Sequence, residues 1–339
     1  MIRFRQILKW NELHYGAGDH GGQFRPRNLD FSDKNFDDDV DPDVARAERS
    51  MSPAKAGGAS REYEVPTKIY TSDPHNLSYA FKQLENDGCS LSASPEVMAT
   101  KWKNLFPNVH PHEVMRAYLG KEGMNNKNMG NMTLHINSKD KKFSFGSTGE
   151  LEIHGKKVID YQRTIDMKNK IVDHSVLKLS DEAQGGGVVK KLFGDLLPLY
   201  DKLKLTHIRL WANIDRGGYA WGKYGFQYHN DEERVKHQEQ IKSVLKAFTD
   251  KHSKVKLNPA AVKEKAVLEK ALRGKKLDTV WAITDLKTPE LDKAYASQIH
   301  DDSTKSTFIK MMLKNTKWSG LMDIQKGSPS RDRVNKYVS

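Results

Sequence analysis

Residues 170–228 hold the pattern that most limits how this chain can fold. Apolar and polar residues alternate over 172–178, as expected of a half-buried strand. Three consecutive glycines, Gly185–Gly187, then stand directly before a helical pattern whose apolar residues share one face. A second strand is predicted over His207–Ala212, followed by a short turn and helix over Gly217–Tyr224. Strand, glycine turn, helix and strand together predict a βαβ-like unit.

The glycine turn also predicts a place for a ligand. A glycine turn at the start of a helix directs several backbone N–H groups to one point, where the helix dipole favours an anion. The start of the helix that follows Gly187 is therefore the predicted anion site.

This order of elements resembles the core of the GNAT acetyltransferase superfamily. The pyrophosphate loop of that family follows a central strand and has the pattern Gln/Arg-x-x-Gly-x-Gly/Ala. In this chain the loop runs from Gln184 through Gly187 to Val189; Gln184 and Gly187 match the pattern, and Val189 departs from it. The second landmark of the family is a strand, an Asn, a short helix and a closing Gly-Phe, which correspond here to Asn213 and Gly225-Phe226. The resemblance covers roughly residues 125–235.

The resemblance implies an α+β fold with a GNAT-like mixed sheet flanked by helices. The antiparallel strands expected before the central strand are Met132–Asn137, Lys142–Phe145, Glu150–His154 and Lys157–Met167. If the protein binds acetyl-CoA, the central strand holds the pantetheine arm and the glycine turn holds the pyrophosphate. The residues expected to bind the cofactor are then Val176, Leu177, Leu179, Gln184, Gly185, Gly186, Gly187 and Val188.

Two departures from the family pattern bear on activity. The general-acid tyrosine of the family lies four residues before the closing glycine, and here that residue is Trp221. Its indole N–H cannot transfer a proton near neutral pH. Val189 adds a β-branched side chain where the family needs a close backbone approach to phosphate. Tyr219 and Tyr224 flank Trp221 and are the candidate proton donors only if the protein is active. The interpretation is that the fold is kept and catalysis is lost, with no cofactor expected.

The sequence Gly-Gly-Tyr, Trp and Gly-Phe over 217–226 resembles a GNAT variant of tailed-bacteriophage proteins. The amino-terminal run over 10–24 resembles short segments of phage morphogenesis and head proteins, and Trp318–Ile324 resembles the ending of the same variant. These resemblances imply a head-associated structural protein located in the virion and assembled in the host cytoplasm. Its partners would be other virion proteins, in a homo-oligomeric or hetero-oligomeric assembly.

Two other functions stay open from the sequence. One is an acetyl-CoA-dependent N-acetyltransferase of the cytoplasm. The other is a basic nucleic-acid-binding accessory protein, because a net charge of +12 and a pI near 9.4 favour a phosphate-rich partner. The lysines of residues 235–275 would be its footprint, although the interleaved glutamates are more typical of a solvated helical face.

The remaining sequence divides the chain into segments. A mean hydropathy of −0.74 is typical of a protein with long solvated stretches. The predicted segments are an extended or disordered N-terminal arm (1–60), a small helical unit (61–123), a linker (124–131), the GNAT-like core (132–230), a charged helical region that packs on the core (231–325) and a polar tail (326–339). Within 231–325, two apolar stripes predict packed helices: Val235, Ile241, Val244, Leu245 and Phe248, and then Val262, Ala266, Leu268 and Leu272.

Several kinds of site are not expected. A single cysteine, Cys89, cannot form a disulfide within the chain and fits a reducing compartment. No apolar run approaches the roughly 18 residues of a membrane-spanning helix, so no membrane contact is expected. His110 and His112 stand at a predicted helix start without a third ligand nearby, so no metal is expected there.

Overall fold

The computed structural model describes residues 74–124, 129–147, 149–183, 186–212, 217–273, 279–299, 307–314 and 316–339. All of these residues belong to one unit that spans Ala59–Ser339. The predicted arm (1–60) lies outside the described residues, and so do Gln184, Gly185 and Asn213.

Alternating apolar and polar residues build a nine-stranded mixed sheet from the described residues. Its order is β1-β2-β3-β5-β6-β7-β9-β8, and β4 pairs with β5 beside this path. The strands are β1 (Ser90–Leu91), β2 (Met132–Asn137), β3 (Lys142–Ser147), β4 (Leu151–Ile153), β5 (Lys156–Asp166), β6 (Ile171–Leu179), β7 (His207–Ala212), β8 (Gln227–Tyr228) and β9 (Trp318–Asp323). The pairs β1–β2 and β6–β7 are parallel, and the others are antiparallel. The predicted α+β class and the antiparallel strands before β6 are confirmed.

Eleven α-helices of the described residues flank this sheet. They are α1 (Pro74–Asn86), α2 (Pro95–Leu105), α3 (Pro111–Met124), α4 (Val188–Lys202), α5 (Gly217–Tyr224), α6 (Asp231–Lys251), α7 (Pro259–Arg273), α8 (Val280–Thr284), α9 (Pro289–Ala294), α10 (Phe308–Lys314) and α11 (Pro329–Val338). The βαβ unit predicted from the sequence is therefore β6–α4–β7, with α5 after it.

Two apolar clusters hold the described residues together. The main core joins the sheet to α1–α5 and α11 and includes Trp102, Phe145 and Leu192. Helices α1–α3, predicted as a separate helical unit, contribute their apolar faces to this same core. The second cluster is built from α6–α10 and consists of Ile241, Leu245, Ala261, Leu268, Leu272, Ile283, Leu291, Tyr295, Ile299, Phe308, Ile309, Met312 and Leu313.

The position of β9 extends the sheet beyond the predicted limit at residue 230. Trp318–Asp323 pairs antiparallel with the whole of β7 on one side and with Gln227 and Tyr228 on the other. A strand from near the end of the sequence therefore lies inside the sheet, where Trp318 is fully buried.

Within the segment predicted only as a polar tail (326–339), Pro329–Val338 forms helix α11. Ser328 caps this helix by accepting a hydrogen bond from the Arg331 N–H, and proline at the first position is preset for a helix. Val334 is fully buried against the main core. The tail is ordered by these tertiary contacts, which local hydropathy does not register.

Three members of the predicted apolar stripes are exposed rather than packed. Val235 and Val262 are 49% and 52% exposed, and Ala266 is also exposed. The buried face of α6 instead runs through His237 and Ile241, because hydrogen bonds to buried partners hold the His237 ring inward.

Candidate functional site

The two parallel strands of the βαβ unit separate halfway along β6. Residues 171–174 pair with 207–210 of β7, whereas the rest of β6 pairs with β5 only. The β5–β6 register shifts between Gln162 and Arg163, where β6 has one extra residue, Ser175. A bulge of this kind bends a strand and increases its twist, which explains why β6 leaves β7 at this point.

Three predicted cofactor residues lie on the separated half of β6. Val176, Leu177 and Leu179 are half-buried, and the β7 side of this segment carries no strand among the described residues. An extended ligand therefore has an unpaired strand edge beside it there, as the acetyl-CoA interpretation requires.

The described residues include the start of α4, where an anion site is predicted, from Gly186 onwards. Gly187 has φ +73° at the N-cap and makes no side-chain cap, so the first N–H groups of α4 have no side-chain acceptor at that residue. Gly186 and Gly187 are exposed. The Lys156 side chain passes beside them, with its Cε 3.4 Å from the point that a Cβ on Gly186 would occupy. Helix start and ammonium together favour an anion here.

Two valines flank this helix start and face the protein. Val188, predicted to contact a cofactor, is buried in the main core, and Val189 is half-buried against the same core. The cofactor contact expected of Val188 is therefore limited to its backbone. The obstruction expected from Val189 is reduced, because its side chain turns at least in part towards the core.

The two candidate proton donors lie in different environments. Tyr224 is 8% exposed, and its ring centroid lies 4.3 Å from that of Tyr337 on α11. Burial and the neighbouring Tyr337 raise the pKa of Tyr224 above its ordinary value, which makes it a weaker acid. Tyr219 instead packs against the second cluster, with the Lys223 Nζ 5.6 Å from its ring centroid. The structure therefore does not bring the two tyrosines together.

Trp221 takes part in the aromatic packing between α4 and α5. Its ring lies edge-on to Phe226 and Phe193, at centroid distances of 5.6 Å and 6.4 Å. The residue at the family's acid position thus contributes packing area between the helices.

Behind β6 lies a buried polar chain that sequence reasoning missed. The Tyr118 and Tyr200 hydroxyls are 2.8 Å apart, and the Tyr200 hydroxyl is 2.8 Å from the His174 Nε2. Burial raises the pKa of both tyrosines and lowers that of His174. These three side chains are therefore neutral near pH 7. The sequence signal for this group is His174, a histidine at a position where the alternation of β6 predicts a buried side chain.

The basic footprint predicted for nucleic acid is partly neutralised by neighbouring carboxylates. The Nζ–Oε1 distances are 2.6 Å for Lys242–Glu239 and 3.6 Å for Lys265–Glu269, and each pair spans one helical turn. Such pairs are typical of a solvated helical face.

The described residues contain no group of three or more His, Cys, Asp or Glu side chains placed to hold a metal ion. In the same ranges, no helix is both long and apolar enough to pass through a lipid bilayer. Burial raises the pKa of the Cys89 thiol to about 12, which leaves it protonated and unreactive near neutral pH.

Comparisons with protein-family models, with curated proteins and with solved structures give no match to this chain.

Proposed function

We propose that this chain is a head-associated structural protein of a tailed bacteriophage, built on a GNAT-like domain that has lost transfer chemistry. The observation that carries the loss of chemistry is the surroundings of Tyr224. Tyr337 of α11 and Phe193 of α4 pack against its ring, and its pKa is raised. With Trp221 at the family's acid position, neither residue is suited to donate a proton to a leaving group.

The order of elements supports the GNAT-like part of the proposal. Central strand β6, a glycine turn, helix α4 and the parallel strand β7 follow one another, and α5 ends at Gly225-Phe226. This order is what the resemblance implies for a domain of this family. The divergence of β6 from β7 after His174 also leaves beside β6 the open edge that an extended pantetheine arm needs.

The virion part of the proposal rests on the amino-terminal arm, residues 1–60, and its resemblance to phage head proteins. Ordering such a polar segment costs about 1–2 kcal/mol per residue in backbone entropy, which contacts along much of its length must offset. A neighbouring subunit in an assembly supplies such contacts.

Removal of residues 1–60 tests this role. We expect the truncated chain to keep the circular dichroism and unfolding midpoint of its folded unit but to be absent from purified particles. In the full-length protein, we expect the arm to be cut by protease in free protein and protected in particles. Incorporation of the truncated chain at the full-length level would contradict the proposal.

A second candidate, an acyl-CoA-dependent transferase, is favoured by one specific observation. The open edge at the end of β6 and the uncapped start of α4 are joined by the short connection between these two elements. Lys156 lies beside the start of α4. Calorimetric titration with acetyl-CoA separates the candidates, with Lys156→Glu as the matched control. A one-site isotherm that Lys156→Glu weakens would favour the transferase, and no heat from either protein is the result we expect.

A further inference from the structure

Arg163 on β5 is a fully buried guanidinium in the interior of the sheet. Its exposed fraction is 0%, and its carbon Cζ lies 4.3 Å from the centroid of the Tyr161 ring. The Nη1 group donates to two backbone carbonyl oxygens, those of Gln162 and Val176. These contacts use one of its three nitrogens.

The other two nitrogens of Arg163 have no acceptor. Both Nε and Nη2 are buried without a hydrogen-bond partner. No carboxylate among the described residues pairs with this guanidinium, whereas Arg209 on β7 forms two hydrogen bonds to Asp173, at 2.6 Å and 2.9 Å. A buried charge of this kind is strongly unfavourable unless something of opposite charge or strong acceptor character accompanies it.

His174 adds a third buried nitrogen without a partner beside Arg163. The two residues are direct partners in the β5–β6 register, and the His174 Nδ1 also lacks a partner. The Nε2 of the same ring lies 2.8 Å from the Tyr200 hydroxyl, which in turn lies 2.8 Å from the Tyr118 hydroxyl.

The Nε–H and Nη2–H groups of Arg163 are thus buried donors without acceptors, and the Tyr161 hydroxyl and the His174 Nδ1 beside them are also buried without a partner. A water molecule would accept from these donors but would leave the charge of the buried guanidinium uncompensated. An anion supplies both the acceptor atoms and the charge.

We propose that Arg163 binds a small monovalent anion, a halide or a carboxylate of formate size, inside the main core beside His174. The site lies at the β5–β6 bulge, below α4, next to the point where β6 leaves β7. The anion would hold the bulge in place, since the Nη1 of the same guanidinium bonds the Val176 carbonyl on the separated half of β6.

Crystals of the full chain soaked in sodium bromide test the site directly. We expect an anomalous peak within hydrogen-bonding distance of Arg163 Nε and Nη2. An ordered water without anomalous signal at that place would overturn the proposal, and so would close packing that leaves no room for either.

Thermal unfolding supplies a second measurement that does not depend on crystals. We expect Tm to rise with the concentration of sodium bromide or sodium formate and then to saturate. Sodium sulfate at equal ionic strength is the reference and should give only a linear change in Tm. Arg163→Met should lose the saturating part. Arg163→Lys, which keeps the charge but not the fork of donors, should weaken it. Arg209→Met, a matched change at the paired arginine on β7, should retain it. An identical response of wild type and Arg163→Met would overturn the proposal, and if neither variant folds, the bromide peak in wild type decides.

Discussion

At the scale of single residues, His237 has the most completely defined surroundings. Its Nδ1 lies 2.9 Å from the Tyr228 hydroxyl and its Nε2 lies 2.8 Å from the Thr316 Oγ1. Thr316 donates its own proton to the Leu313 carbonyl, so it accepts from the His237 Nε2–H. The Nδ1 then accepts from Tyr228. This pattern fits only a neutral imidazole, and burial lowers the pKa of His237 to about 3.

His237 is expected to make stability fall in acid. The pKa of His237 in the folded protein, about 3, lies below its ordinary value of about 6.5. Between these two pH values, His237 is therefore protonated in the unfolded chain but not in the folded one. Stability is therefore greatest above that window and is lost as the pH falls through it. The expected contribution between pH 7.5 and pH 5 is about 2 kcal/mol.

Urea unfolding of wild type and His237→Gln at these two pH values measures that contribution. The variant should be less stable at pH 7.5, because it loses two buried hydrogen bonds, and it should lose about 2 kcal/mol less than wild type on acidification. Equal losses in both proteins would show that His237 does not titrate on unfolding.

At the scale of elements, two glycines in helical segments do different work. Gly194 is exposed within α4, and a Cβ built on it meets no atom within 4 Å outside the backbone of its own helix. Gly120 interrupts α3 with φ 77° and ψ 170°, and a Cβ there would lie 2.7 Å from the His154 Nδ1. The first position tolerates a side chain, and the second needs glycine for both its backbone and its space.

Alanine at these two positions should therefore change stability in opposite directions. Gly194→Ala should stabilise the protein by about 0.5–1 kcal/mol, because glycine is the weaker helix former. Gly120→Ala should destabilise it by about 1–3 kcal/mol through strain in a backbone region that L-residues avoid. Equilibrium unfolding in urea checks both, and a stabilising Gly120→Ala would mean that α3 straightens at no cost.

At the scale of the whole molecule, α11 ties the end of the sequence to the middle of the fold. Arg331, which is 7% exposed, donates to both Asp201 oxygens at 3.1 Å and 3.0 Å and to the Ile324 carbonyl at 3.0 Å. Asp201 lies near the end of α4, so this one side chain joins α11, α4 and the residue after β9.

Arg331→Ala should cost about 2–4 kcal/mol, since it removes the buried partner of a carboxylate and leaves a carbonyl without its donor. Arg333→Ala, two residues along the same helix, is the matched control. Arg333 also makes a two-bonded pair, with Asp285, and donates to the Lys223 carbonyl, but the Asp285 side chain is 44% exposed and the carbonyl bond is only part-buried. Its removal should cost less than about 1 kcal/mol. Unfolding midpoints of the two variants measure the difference, and equal costs would contradict the tying role of Arg331.

Local periodicity in the sequence was sufficient for the elements and for part of the candidate site. Alternation predicted β2, β3 and β5, and the apolar face before Leu197 predicted α4, because a strand or helix with one buried side has to repeat apolar residues at its own period. Alternation over 172–178 also predicted the central strand, and Val176, Leu177 and Leu179 do lie on β6. The glycine turn was predicted from the three glycines that stand directly before the helical pattern.

Contacts between distant parts of the sequence decided the rest. The residues of β9 do not by themselves predict its place between β7 and β8. Pairing of strands far apart in the sequence depends on which strand edge the folded core leaves unpaired, and not on the local pattern of residues. The same holds for Pro329–Val338, a polar segment that becomes a helix because Arg331 and Val334 find buried partners. Burial of Tyr224 under that helix follows from the same packing. An arginine in a sequence predicts an exposed side chain, and only the assembled sheet buries Arg163 without an anionic partner.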